Sequence, residues 1–102
     1  MTIRTKRALV TGAGARLGQA IAIYLGQRGF DVAIHYATSD DGAQTTADAV
    51  EASGQKAALV QADLLSEKET QALLPRAADA LGGPITVLVN NASIFEYDTV
   101  QT

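Results

Sequence analysis

The run Ala8-Leu9-Val10-Thr11-Gly12-Ala13-Gly14-Ala15-Arg16-Leu17-Gly18 decides how the rest of the chain is read. An apolar segment of β character meets three glycines, and a helical pattern of apolar residues starts directly behind them. Strand, tight turn and helix start, in that order, are the setting in which a glycine-rich segment signifies nucleotide binding. Gly12 and Gly14 permit turn conformations and a close backbone approach that a Cβ would obstruct, and Gly18 lets the helix lie close to its strand. The unpaired N–H groups of the first helical turn and the positive end of the helix dipole suit an anion, a diphosphate above all. The spacing, Gly-x-Gly-x-x-x-Gly, is one residue longer than the usual dinucleotide fingerprint.

Outward from this run, the first strand is expected over residues 7–11 and the first helix over 17–28. Leu17, Ala20, Ile21, Tyr24 and Leu25 form one apolar face of that helix, and Gly29 ends it. Residues 32–36 are β-branched and aromatic and read as a second buried strand. A polar loop follows, in which Ser39 or Asp40 caps a helix over 41–52 whose apolar face of Ala43, Ala47 and Val50 is small. A third strand has its core at 57–60. Ser66-Glu67-Lys68-Glu69 fits a capping box and opens a helix carrying Leu73, Leu74, Ala77 and Leu81. Pro75 lies inside that pattern and predicts a kink or a break. After Gly82-Gly83-Pro84, a fourth strand is expected over 85–89.

The order is βαβαβαβ, which implies an α/β fold with a parallel sheet, right-handed crossovers and helices on both faces. This is a Rossmann-type three-layer half plus one strand, with strand order 3-2-1-4 and a single domain over residues 1–102. The 102 residues fit one small domain, and at 47% hydrophobic and 19% charged they can bury a core. A net charge of −3 gives no general attraction for nucleic acid or anionic membranes. Arg4, Lys6 and Arg7 read as a solvated flank of the first strand. The chain has no cysteine, hence no disulfide or thiolate metal site. No signal-peptide pattern or membrane-spanning run is apparent, so a soluble cytoplasmic protein is expected. His35 falls inside a strand without a second ligand or acid–base partner and reads as structural; no metal site is expected.

Thr11 through Gly18, Asp63-Leu64 and Asn90-Asn91-Ala92, each at the matching element, together resemble the short-chain dehydrogenase/reductase family along essentially the whole chain. Two departures from that family's pattern, Arg16 for the middle glycine and Ser93 for the glycine after Asn-Asn-Ala, are similar to the pteridine reductase subgroup. So are Phe95, the segment His35-Tyr36-Ala37-Thr38-Ser39 and the run Val60-Gln61-Ala62-Asp63-Leu64. The resemblance implies a dinucleotide cofactor held by Gly12, Gly14, Arg16, Leu17, Gly18, Tyr36, Thr38, Ser39, Asp63, Leu64, Asn90, Ala92 and Ser93. It implies a small pterin-like or carbonyl substrate met by Arg16, Ser93 and Phe95. Asp63 stands either as an acceptor for the adenine amino group or as a local turn cap, and Asn90 either as a cofactor contact or as a strand-end satisfier of backbone.

An acidic residue at the end of the second strand usually binds the ribose hydroxyls of NAD and repels a 2′-phosphate. Tyr36, Ala37, Thr38 and Ser39 stand there instead, which favours NADP (NADPH), although Asp40 and Asp41 are close in sequence. The family's chemistry needs a serine and a Tyr-x-x-x-Lys pair. Here Tyr24 is followed at that spacing by Arg28, Tyr36 by Asp40 and Tyr97 by Gln101, so no catalytic residue is assigned. The expectation is therefore the cofactor-binding half of a truncated NADPH-dependent reductase, inactive by itself, whose longer form is homo-oligomeric. The alternatives are a general carbonyl or 3-oxoacyl thioester reductase of the same family, or a non-catalytic nucleotide-binding module.

Overall fold

The structure, a computed structural model, describes residues 5–13, 16–38 and 41–91. Strands β1 (Lys6–Val10), β2 (Phe30–Tyr36), β3 (Ala57–Gln61) and β4 (Val87–Val89) alternate with helices α1 (Arg16–Gln27), α2 (Asp41–Ala52) and α3 (Glu67–Leu81). The sheet is parallel in the order β3-β2-β1-β4, as expected, with Ala8 opposite both Val32 and Val87.

Alternation along the strands builds two cores. Val10, Val32 and Ile34 point to one face and pack with Ala22 of α1 and Ala43, Ala47 and Val50 of α2. Leu9, Ala33 and Val60 point to the other and pack with Leu73, Ala77 and Leu81 of α3. The result is three layers. Among the described residues no helix is long and apolar enough to cross a membrane.

Several local expectations need correction. The apolar face of α1 is buried only in part: Ile21 and Leu25 pack against the core, but Leu17 is 66% and Tyr24 56% exposed, and Ala20 is exposed too. Gly18, Ala22 and Gly26 face inward, with Ile21 and Leu25 half-buried beside them. Close approach explains this choice. A Cβ on Gly26 would stand 3.2 Å from Val50 Cγ1 of α2, so the small stripe lets two neighbouring helices nearly touch.

Pro75 does not break α3, which runs unbroken from Glu67 to Leu81 with the proline on its exposed side. Nor does β4 begin at residue 85. Thr86 Oγ1 takes the Arg7 N–H at 3.2 Å, so a side chain stands where the ladder would start. The capping box is half reciprocal: Ser66 Oγ accepts the Glu69 N–H at 3.3 Å, while Glu69 Oε1 accepts from the Asp63 N–H at 2.8 Å instead of returning to Ser66. Either Ser39 or Asp40 as cap of α2, and Arg4, lie outside the described residues.

Candidate functional site

The strands' C-terminal ends carry the loops of interest, as open α/β sheets require. Directly after β1, Gly12 adopts φ 66°, a left-handed conformation that favours glycine. The chain then turns into α1, whose first residue is Arg16. Gly18, on the inward side of that first turn, is pressed against the loop it follows. A Cβ there would meet the Gly12 carbonyl oxygen and stand 2.7 Å from Asn91 Nδ2. The close packing inferred for Gly18 is thus helix against its own glycine turn, and Asn91 closes the contact by donating to the Gly12 carbonyl at 3.4 Å.

Each end of the turn is tied from a different strand. From β4, the Thr11 N–H donates to the Val89 carbonyl at 3.0 Å, and Thr11 Oγ1 donates to Asn90 Oδ1 at 3.1 Å. From β2, the Ala13 N–H donates to the His35 carbonyl at 3.0 Å, and the Gly12 N–H donates to His35 Nδ1 at 3.0 Å. From α2, the buried Thr46 hydroxyl bonds the Ala13 carbonyl at 2.9 Å and the Gly42 carbonyl at 2.8 Å. The Gly42 carbonyl also accepts from Gln19 Nε2 of α1 at 3.0 Å. A turn held by so many fixed partners presents the helix N-terminus at a defined place, the condition for preorganised anion binding.

His35 is nearly fully buried. Because Nδ1 accepts from Gly12, its proton resides on Nε2, which donates to the Ala62 carbonyl at 2.9 Å. Burial lowers its pKa from 6.5, the bond to Ala62 opposing that shift. The imidazole is therefore neutral near pH 7 and joins the glycine turn to the β3–α3 loop.

That loop carries Asp63, exposed, whose Oδ1 accepts the Leu65 N–H at 2.9 Å and whose carbonyl accepts the Ser66 N–H at 2.9 Å. The local-cap reading of Asp63 is thus seen. Leu64 is half-buried against the α3 core. At the end of β2, Tyr36 is half-buried and Thr38 exposed, and the Ala37 carbonyl accepts from Gln61 Nε2 at 2.7 Å. Arg16 and Leu17 are exposed at the start of α1. Gly14, Ser39, Ala92, Ser93 and Phe95 lie outside the described residues.

The structure therefore brings Gly12, Arg16, Gly18, Asp63 and Asn90 to one end of the sheet, with Tyr36 at the end of β2 and Thr38 in the bend that follows it. Sequence reasoning gave no role to Asn91 and Thr46, and took His35 as structural without seeing what it supports. Among the described residues no group of His, Cys, Asp or Glu could hold a metal.

Fold and loop together define a dinucleotide-binding type of α/β protein. Residues 6–102 match the family model described as short chain dehydrogenase. The chain belongs to that family. It is 37% identical over 90 residues to the 3-oxoacyl-(acyl-carrier-protein) reductase FabG of Staphylococcus aureus (strain N315), covering 88% of this chain and 36% of that protein. It is 42% identical over 92 residues to the L-rhamnose 1-dehydrogenase (NAD(P)(+)) of Sphingomonas sp. (strain SKA58), covering 90% of this chain and 36% of that protein. Among solved structures, FolM alternative dihydrofolate reductase 1 from Brucella suis in complex with NADP superposes with a TM-score of 0.79 at 43% identity. That match covers 89% of this chain and 37% of the other. The chain thus spans little more than a third of the relatives it matches.

Proposed function

We propose that residues 1–102 form one nucleotide-binding unit of an NADPH-dependent oxidoreductase that reduces a dihydropterin or a related heterocycle. The observation that carries the nucleotide-binding part of this reading is the clamped glycine turn, with Gly18 against Gly12 and α1 opening on Arg16. The turn fits a diphosphate: its close packing leaves no room for a Cβ, and first-turn N–H groups of α1 lack partners within the helix. Gly12, Gly14, Leu17 and Gly18 hold the diphosphate, and Arg16 adds a full charge and a planar fork of donors. Tyr36, Thr38 and Ser39 surround the 2′-phosphate, where no carboxylate ends β2. Asp63 and Leu64 meet the adenine, and Asn90, Ala92 and Ser93 the nicotinamide side. Arg16, Ser93 and Phe95 meet the substrate, the aromatic ring serving as a wall for a flat heterocycle.

Bound NADPH supplies hydride, and proton transfer needs a tyrosine and lysine pair that these 102 residues do not contain. The chain by itself accordingly binds cofactor without turnover. The name of the Brucella suis neighbour favours a pterin-like substrate, and that of the Staphylococcus aureus relative favours a 3-oxoacyl thioester. Two experiments test the reading. In calorimetric titration the chain binds NADP⁺ more tightly than NAD⁺; equal or tighter NAD⁺ binding refutes the cofactor preference. In a version of the protein carrying the family's catalytic residues, dihydropterin turns over faster than an oxoacyl thioester, and the reverse order selects the second substrate class.

A further inference from the structure

We propose that His35 is a positioning residue for cofactor binding: in its neutral Nε2–H form it holds the diphosphate turn and the adenine loop in one rigid arrangement. The inference rests on the cofactor reading above and deepens it. Two successive N–H groups of the glycine turn end on this one residue, Gly12 on the imidazole Nδ1 and Ala13 on the main-chain carbonyl, each at 3.0 Å. On its other side Nε2 reaches the Ala62 carbonyl, one residue before Asp63, while the Ala62 N–H returns to the Tyr36 carbonyl at 3.1 Å. One side chain thereby fixes the spacing between the loop assigned to the diphosphate and the loop assigned to the adenine.

The arrangement works in one protonation state. A proton on Nδ1 turns the acceptor for Gly12 into a second donor, so two N–H groups face each other and the turn must give way. Among the described residues no charged partner offsets this. On the elements packed around the ring, Asp63 bonds the Leu65 N–H, Glu69 bonds the Asp63 N–H, and Arg76 Nη1 bonds the Gln61 carbonyl at 2.8 Å. Lys6 and Arg7 of β1, and Asp31 of β2, stand at the opposite end of their strands. The ring's bonds to Gly12 and Ala62 leave both its nitrogens occupied. Cofactor affinity therefore carries a proton linkage with its origin at a residue that need not touch the cofactor.

Two substitutions separate the two bonds. His35→Asn keeps an acceptor at the place of Nδ1 and loses the donor to Ala62; His35→Gln keeps a donor near the place of Nε2 and loses the acceptor for Gly12. Neither titrates. NADP⁺ affinity is measured by calorimetry for all three proteins from pH 8 downward, within the range where circular dichroism shows them folded. The imidazole tautomer of the wild type is read from its ¹⁵N shifts. The expected result is an Nε2–H tautomer, tighter binding by the Asn than by the Gln variant at pH 8, and a wild-type affinity that falls relative to the Asn variant in acid. That relative fall approaches tenfold per pH unit below the native pKa of His35. Because the ratio to the Asn variant is read, the cofactor's own phosphate titration cancels. An Nδ1–H tautomer, parallel pH profiles, or Gln binding as well as Asn overturns the proposal. An Nε2–H tautomer with no NADP⁺ binding at pH 8 overturns the cofactor reading itself, and the proposal with it.

Discussion

Substituting Gly18→Ala sets two opposing effects against each other. Alanine is favoured over glycine inside a helix by about 1 kcal/mol, and Gly18 lies two residues into α1, so propensity alone predicts a more stable protein. The space is absent. The added Cβ would stand 2.7 Å from Asn91 Nδ2 and 2.9 Å from the Gly12 carbonyl carbon, and closer still to the Gly12 oxygen. Ordinary contact lies near 3.5–4.0 Å, so the helix start and the turn must separate by about 1 Å. The obstacle is backbone, which cannot rotate away, and overpacking of this kind costs about 1–3 kcal/mol. The separation also pulls the Gly12 carbonyl from Asn91 Nδ2, a bond already 3.4 Å long. A net loss of about 1–2 kcal/mol follows, together with weaker NADP⁺ binding because the helix N-terminus is displaced. Urea unfolding followed by circular dichroism measures the first and calorimetry the second. Gly26→Ala is the control, since its nearest new neighbour is a side-chain methyl of Val50 at 3.2 Å. If Gly18→Ala is as stable as the wild type, or no less stable than Gly26→Ala, the close-packing argument fails.

Three further outcomes are expected. Thr46→Val removes the hydroxyl that meets the Ala13 carbonyl inside the protein, which costs about 1–3 kcal/mol in denaturant unfolding for an unsatisfied buried acceptor; the Gly42 carbonyl keeps Gln19. Pro75→Ala raises the unfolding free energy by about 1–3 kcal/mol, because it restores an N–H to an exposed helical position and removes the ring's clash with the preceding turn. Acid lowers stability through His35: its native pKa lies below 6.5, so the unfolded chain binds the proton first. The contribution of His35 is complete above about pH 6.5 and declines as pH falls toward the lowered native value, with a slope of at most about 1.4 kcal/mol per unit. Chemical unfolding from pH 8 to 5 shows this slope in the wild type and its loss in His35→Asn.

Most of the architecture was legible because period and punctuation agree. Alternating short β-branched runs and helical segments, closed by Gly29, Gly54 and Gly82 at φ 93°, 91° and 84°, leave little choice beyond a parallel sheet. The face of α1, predicted correctly at Ile21 and Leu25 but not at Leu17, Ala20 and Tyr24, shows where that reading stops. Apolar periodicity finds large side chains, whereas this helix buries the residues that let it come close, and smallness carries no hydrophobic signal. Pro75 misled for a related reason: on an exposed face its missing bond is tolerated by tertiary packing on the opposite side, where Leu73 and Ala77 are buried. At the site, the turn at Gly12 and the close packing of Gly18 were readable from the spacing of the glycines. The roles of His35, Thr46 and Asn91 were not, because each acts on a backbone group distant in sequence, and only the folded topology brings the two together.

The same topology orders the turn's completion in time. Its tie to β2 spans 23 residues, from Gly12 to His35, whereas its tie to the segment after β4 spans 79, from Gly12 to Asn91. Closing the longer loop costs about 1 kcal/mol more in chain entropy, and during synthesis the second partner leaves the ribosome long after the first. The partner from β2 is thus available to the glycine turn early in synthesis, and a chain stopped before residue 91 lacks the amide that closes on the Gly12 carbonyl.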